Sequence, residues 1–175
     1  EFECLSAFGS RCGVSNLEAI IFAHHLCDEY GMDTISTGAV ISWLMECFDE
    51  GIFDKSDCDG LEVRWGNAEV MVKLVHMIAT RQGIGDVLAE GSFRAARKLG
   101  KGSEKFVMHV KMQEIAGQEP RAQKSMGLAM AVSPRGADHL YAFPVLDEGS
   151  VFQKEIRQWY GDEFLPEIGD RLSPK

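Results

Sequence analysis

Apolar residues recur at helical spacing along most of the chain. Leu17, Ile20, Ile21 and His24 fall at i, i+3, i+4 and i+7, the stripe of an amphipathic helix. Before it, Ser15-Asn16-Leu17-Glu18 has the form of a capping box. Gly31 stops this helix, because glycine takes the left-handed conformation at little steric cost. Asp33 then caps a second helix, with Ile41, Leu44, Met45 and Phe48 on one face and Gly51 at its end. The start of that helix, Thr34-Ile35-Ser36-Thr37-Gly38, is small and hydroxylated, which suits close packing or an anion near a helix N-terminus. Asn67 caps a third helix carrying Met71, Leu74, Val75 and Ile78 as far as Gly83. A fourth follows Gly85 and runs through Leu88, Gly91, Ala95 and Leu99 to Gly100; Gly91 within it predicts the approach of a neighbouring backbone. Residues 106–112 alternate enough for a short extended piece. Pro120 opens a fifth helix that continues through Ala131 to the stop at Ser133-Pro134. Residues 136–144 are a loop, and 152–160 form a sixth amphipathic piece. The first dozen residues have no sustained period and read as loop, and 52–66 read as an acidic connection punctuated by glycine. The expected fold is all-α and multihelical, with at most one or two short extended segments.

Composition narrows the function. With 175 residues, 45% hydrophobic and 26% charged, the chain is long enough to bury a real core in one domain or two small lobes. The net charge of -9 argues against nucleic acid as a partner. Charge is uneven, however: from Lys101 to His139 there are six basic and four acidic residues, a candidate anion-binding stretch in an acidic protein. No apolar run reaches membrane length, and Glu1-Phe2-Glu3-Cys4 does not resemble a secretory signal, so no membrane is expected and the cytoplasm is the expected location. Five cysteines at irregular spacing, with no Cys-x-x-Cys pair, are expected to be reduced and mostly buried rather than a disulfide framework or a self-contained metal site. Asp57, Asp59 and Gly60 lack the twelve-residue ligand pattern of a calcium loop.

Some residues are not explained by packing. Asp28 falls in the last turn of its helix, where the dipole disfavours an anion. Glu3 precedes the first periodic segment. Lys111 to Arg121 mixes bases and acids in an apolar setting, and His139 ends Ser133-Pro134-Arg135-Gly136-Ala137-Asp138-His139, a loop that requires neither charge. Together they supply carboxylate, imidazole and cations, a minimum set for proton transfer beside an anionic cofactor.

The ordered pieces Phe2-Glu3-Cys4-Leu5, Phe8-Gly9-Ser10-Arg11-Cys12-Gly13, Cys27-Asp28-Glu29-Tyr30-Gly31-Met32-Asp33-Thr34-Ile35-Ser36-Thr37-Gly38, Trp65-Gly66-Asn67, Gly85-Asp86-Val87-Leu88-Ala89-Glu90-Gly91, Val110-Lys111 with Glu114, Glu119-Pro120-Arg121 and Arg135-Gly136-Ala137-Asp138-His139 resemble the tungsten-pterin aldehyde:ferredoxin oxidoreductase family. The resemblance covers Phe2 to about Tyr141. It implies that Asp28, Gly31 and Asp33 form the family's pterin-contacting Asp-x-x-Gly-Leu-Asp/Cys motif, with Met32 in place of leucine. It implies that Glu3 is the active-site glutamate and His139 the active-site histidine, with Phe2 where the family carries tyrosine. Beside a cofactor of that kind, the positive charge of the Lys101–His139 stretch points to Lys111 or Arg121 as the residue that counters its phosphate, an inference from charge and not from the resemblance. The family's bridging-iron motif, Glu-x-x-His, lacks its glutamate at Phe22-Ala23-His24-His25, so no metal ligands are expected in this chain.

The same resemblance implies that residues 1–145 are a helical, cofactor-facing domain and 146–175 a helical or irregular extension. The N-terminal pterin-binding domain and the cysteines of a 4Fe-4S cluster lie outside these residues. The tungsten bis-pterin and the cluster then belong to a larger enzyme, with an aldehyde as substrate, ferredoxin as electron acceptor and homodimerisation open; this chain alone is expected to bind neither group. Two other readings compete. One is the tungsten subunit of an aromatic-ring-reducing enzyme acting on a coenzyme A thioester, and the other a non-catalytic helical interaction domain.

Overall fold

The turn at Gly31 is built as its residues require. In the computed structural model, which describes residues 2–121, 123–141 and 153–162, helix α2 (Leu17–Tyr30) ends at Gly31 with φ 67° and ψ 34°, and α3 (Thr34–Asp49) begins with the Asp33 carboxylate accepting the Ser36 N–H at 2.7 Å. Asn16, not Ser15, caps α2, its side chain accepting the Ala19 N–H at 3.1 Å. The remaining helices are α4 (Ala68–Thr80), α5 (Ile84–Leu88), α6 (Ser92–Leu99), α7 (Lys124–Val132) and α8 (Gln153–Tyr160). Among the described residues the only sheet is a hairpin of β1 (His109–Val110) and β2 (Gln113–Glu114). The fold is multihelical, as the periodicity predicts.

The chain divides into two compact units, Glu1–Gly117 and Gln118–Lys175. In the first, α3 is the hub: α1 (Phe2–Cys4), the π-helical turn Leu5–Ser10 that continues it, α2, α4, α6 and β2 all contact it. Most of its side chains are buried, and Ile41, Leu44, Met45 and Cys47 are fully so. Gly38 permits the closest approach, since a Cβ there would lie 2.6 Å from both Cβ and the carbonyl oxygen of Ala7. Close packing therefore explains Gly38 in the small-residue run that opens α3.

Tertiary contacts overturn four local expectations. The first residues are helical, not loop: Cys4, Ala7 and Phe8 are buried, and the i to i+5 bonds Arg11 N–H to Ser6 C=O and Val14 N–H to Gly9 C=O continue the wide turn. α2 buries Ile20, Ala23 and Cys27 and leaves Leu17 and Ile21 more than half exposed, because the face that carries Ile20, Ala23 and Cys27 is the one covered where α2 meets α4 and the π turn. The predicted fourth helix is two, broken at Gly91 (φ 82°, ψ 161°), where a side chain and not a backbone comes close: Glu114 Oε1 is 3.1 Å from where a Cβ would stand. α4 ends at Thr80, with Arg81 in the left-handed conformation, ahead of Gly83.

In the second unit α7 starts at Lys124, one turn later than the Pro120 signal predicts. Pro120 instead packs on α7, its carbonyl oxygen 2.9 Å from where a Cβ on Gly127 would be. α8 falls where the sixth amphipathic piece is expected. Residues 142–150, which hold the predicted 145/146 domain boundary, lie outside the described residues.

Candidate functional site

Glu3 is carried by α1, and its carboxylate reaches 114 positions along the chain to accept the Gly117 N–H at 3.0 Å. Arg11, at the far end of the π turn, donates from Nη2 to the Ala116 C=O at 2.9 Å. Both side chains are half-buried. Burial pulls the Arg11 pKa below its ordinary value, and the nearby Glu3, Cys12 and Glu114 act in the opposite direction by favouring the charged form. Arg11 and Glu114 are not among the residues predicted for the site. The available signal for Arg11 was a cation set among residues that turn out buried, Ala7, Phe8 and Cys12.

Asp28 and Asp33 stand on either side of Gly31, both exposed. The Asp28 side chain is 66% exposed, and His24 Nε2 lies 3.6 Å from its Oδ2, too far for a hydrogen bond. On its other ring nitrogen, Nδ1, His24 meets the Thr34 hydroxyl at 3.1 Å. No neighbouring atom comes within 4 Å of where a Gly31 Cβ would be. The turn thus holds two carboxylates, acceptors only, beside open space.

Lys111 sits at the tip of the β1–β2 hairpin, where it and Met112 take positive φ (52° and 68°). At the base of the same hairpin, Glu114 is 5% exposed and accepts both the N–H and the hydroxyl of Ser92, at 2.7 and 2.8 Å.

In the second unit the Arg121 guanidinium grips Glu119 with both Nε (2.7 Å) and Nη2 (2.8 Å), and this pairing holds the Glu119 carboxyl down at about 2. His139 is half-buried and follows Asp138, which is buried, accepts the Leu140 N–H at 2.8 Å and lies 3.3 Å from Arg135 Nε. The loop that carries the imidazole is therefore pinned by its neighbour. Of the predicted residues, Asp28, Gly31 and Asp33 share one turn, and Glu3 and Lys111 share the first unit with them. Arg121 and His139 belong to the second.

All five cysteines are buried free thiols. Among the described residues no three His, Cys, Asp or Glu side chains converge to hold a metal ion, and no helix is long and apolar enough to cross a membrane.

Comparison with known proteins matches residues 1–172 to the family model for aldehyde ferredoxin oxidoreductase, domains 2 and 3. Tungsten-containing aldehyde ferredoxin oxidoreductases of Pyrococcus horikoshii and Pyrococcus furiosus are each 40% identical, over 85% of this chain and 24% of their own length. The WOR-like subunit of an aliphatic sulfonate oxidoreductase from Pyrococcus furiosus is 34% identical over 79% of the chain and 23% of its own. The chain spans about a quarter of the length of these curated relatives.

Proposed function

The chain belongs to the aldehyde ferredoxin oxidoreductase family, and from that premise we propose that it is the helical, cofactor-facing part of a tungsten-pterin enzyme. That enzyme oxidises an aldehyde to a carboxylic acid and passes the electrons through a 4Fe-4S cluster to ferredoxin. Residues 1–145 face the cofactor and 146–175 extend from them; the N-terminal pterin-binding domain and the cluster cysteines come from outside these residues. The reading places the enzyme in the cytoplasm, where reduced thiols persist.

The observation that carries the reading is the Asp28–Gly31–Asp33 turn. A pterin edge is rich in N–H donors, and two exposed carboxylates beside an open glycine are a donor-free partner for it. The residues present therefore fit the group. The bound tungsten-pterin supplies a two-electron acceptor.

Oxidation adds the oxygen of water to the aldehyde carbon and releases two electrons and two protons. Glu3 accepts a proton from that water as general base, held in place by the Gly117 N–H. His139 donates a hydrogen bond to the aldehyde oxygen as negative charge develops there. Asp28 and Asp33 orient the pterin, and Lys111 or Arg121 counters its phosphate, Arg121 by exchanging Glu119 for it.

The test uses the full-length enzyme. Glu3→Gln and His139→Asn should leave folding and tungsten content intact and abolish aldehyde oxidation. Turnover at the parent rate in either variant would remove that residue from the mechanism, and a full-length protein without tungsten would remove the reading altogether.

A further inference from the structure

Glu3 and Arg11 hold the two ends of a single peptide unit. The Gly117 N–H that donates to Glu3 (3.0 Å) and the Ala116 C=O that accepts from Arg11 (2.9 Å) belong to the same peptide plane. In a trans peptide the two groups point in opposite directions, so the carboxylate meets the positive end of the peptide dipole and the guanidinium the negative end. The backbone here is pressed against α1 and the π turn that follows it: a Cβ on Gly117 would lie 2.5 Å from Ser6 Oγ and 3.1 Å from Phe2 Cε1. A side chain at this position would have to displace the Ser6 hydroxyl and the Phe2 ring. The clasp closes across the π-helical turn Leu5–Ser10, a form of helix that recurs at functional sites.

We propose that Arg11, acting through the Ala116–Gly117 peptide, is the positioning residue for the Glu3 carboxylate. This rests on the role given to Glu3 above. A glutamate side chain loses considerable rotamer freedom when it is fixed, and a proton acceptor works only from a narrow range of positions. The Gly117 N–H provides a fixed point, and its direction is set when the carbonyl at the other end of the same peptide plane is held as well. Arg11 holds it with a charge-assisted bond. That bond also polarises the peptide, so the N–H at its other end becomes a stronger donor. Arg11 is itself half-buried, with Glu3 and Glu114 as nearby anions that favour its charge.

The test compares Arg11→Met, Arg11→Lys and Glu3→Gln in the full-length enzyme, by steady-state kinetics per bound tungsten and by hydrogen exchange of the peptide containing Gly117. In Arg11→Met, exchange at Ala116–Gly117 should speed up and kcat should fall about tenfold or more with KM little changed, since a small misplacement of a reacting group is costly. Arg11→Lys, which keeps a charged donor, should recover most of both. A merely structural arginine would lower the amount of folded, tungsten-loaded enzyme and leave kcat per tungsten unchanged; that result, with Glu3→Gln inactive, overturns the inference alone. If Glu3→Gln turns over normally, the base assignment falls. The exchange data then decide whether Arg11 holds the carboxylate, and unchanged protection in Arg11→Met overturns it.

Discussion

Glu114 caps α6 from another part of the chain, accepting the N–H of Ser92 at 2.7 Å and its hydroxyl at 2.8 Å while almost wholly buried. The first helical residue after Gly91 thus has its orphan donor satisfied by a side chain 22 positions away, where a local cap would ordinarily serve. Glu114→Ala should leave two buried donors unpaired and destabilise the protein by about 2–4 kcal/mol. Glu114→Gln, which keeps an acceptor, should lose clearly less. Chemical denaturation of the two variants checks the order.

Asp33 has two separable tasks. As N-cap of α3 it accepts the Ser36 N–H, a role asparagine fills as well as aspartate, whereas alanine there costs about 1 kcal/mol. Asp33→Asn should therefore keep the melting temperature and weaken retention of the tungsten-pterin group in the full-length enzyme. Asp33→Ala should lower both. Thermal unfolding and metal analysis on the same samples separate the two effects.

Gly38→Ala should destabilise the protein although alanine is the better helix former. The added methyl would meet Ala7 at 2.6 Å on backbone and side chain together, and overpacking of this kind costs about 1–3 kcal/mol, more than the gain of up to about 1 kcal/mol in helix propensity. A denaturation midpoint equal to or above that of the parent would contradict the packing described here.

Burial pushes the Cys12, Cys47 and Cys58 thiols up to about 12 and Cys27 up to about 11. At pH 8 no more than about one in a thousand of each is thiolate, the reactive form. In the folded protein these four should resist alkylation and then react quickly once denatured. Mass spectrometry after timed labelling reads the difference site by site.

Acid should loosen the 52–66 connection before the core. Hydrogen bonds from Arg64 and Lys55 hold Glu62 down at about 2, and hydrogen bonds from Ser56 and from Lys101 lower Asp54 and Asp57. Since the folded-state values are depressed, the contribution of these groups is complete above the unfolded carboxylate range of about 4 and is lost as pH falls towards about 2. Hydrogen-exchange protection over residues 54–62, taken relative to the unfolded chain at the same pH, should fall across that window. Lys101→Met, which removes the partner of Asp57 at 2.6 Å, should make exchange there faster at neutral pH and less responsive to acid.

The amino-acid sequence by itself determined the features that act over a few residues. Gly31 at φ 67°, the Asp33 and Asn67 caps, and the stripe Met71, Leu74, Val75 and Ile78 of α4 are all where their residue types require. A cap or a left-handed glycine is decided within one helical turn, and so is legible without the rest of the chain. The turn between Asp28 and Asp33, a helix stop followed by a helix start, was readable for the same reason. Tertiary structure decided what depends on distant partners: which face of α2 is buried, the helical start of the chain in place of a loop, and the break at Gly91. Each is set by a neighbour supplied from elsewhere: α4 and the π turn for α2, α3 for the start of the chain, and the Glu114 carboxylate at Gly91. Arg11 belongs with these. Nothing within a turn of it predicts that its guanidinium finds the Ala116 carbonyl 105 positions away, or that the N–H of that same peptide is the one that holds Glu3.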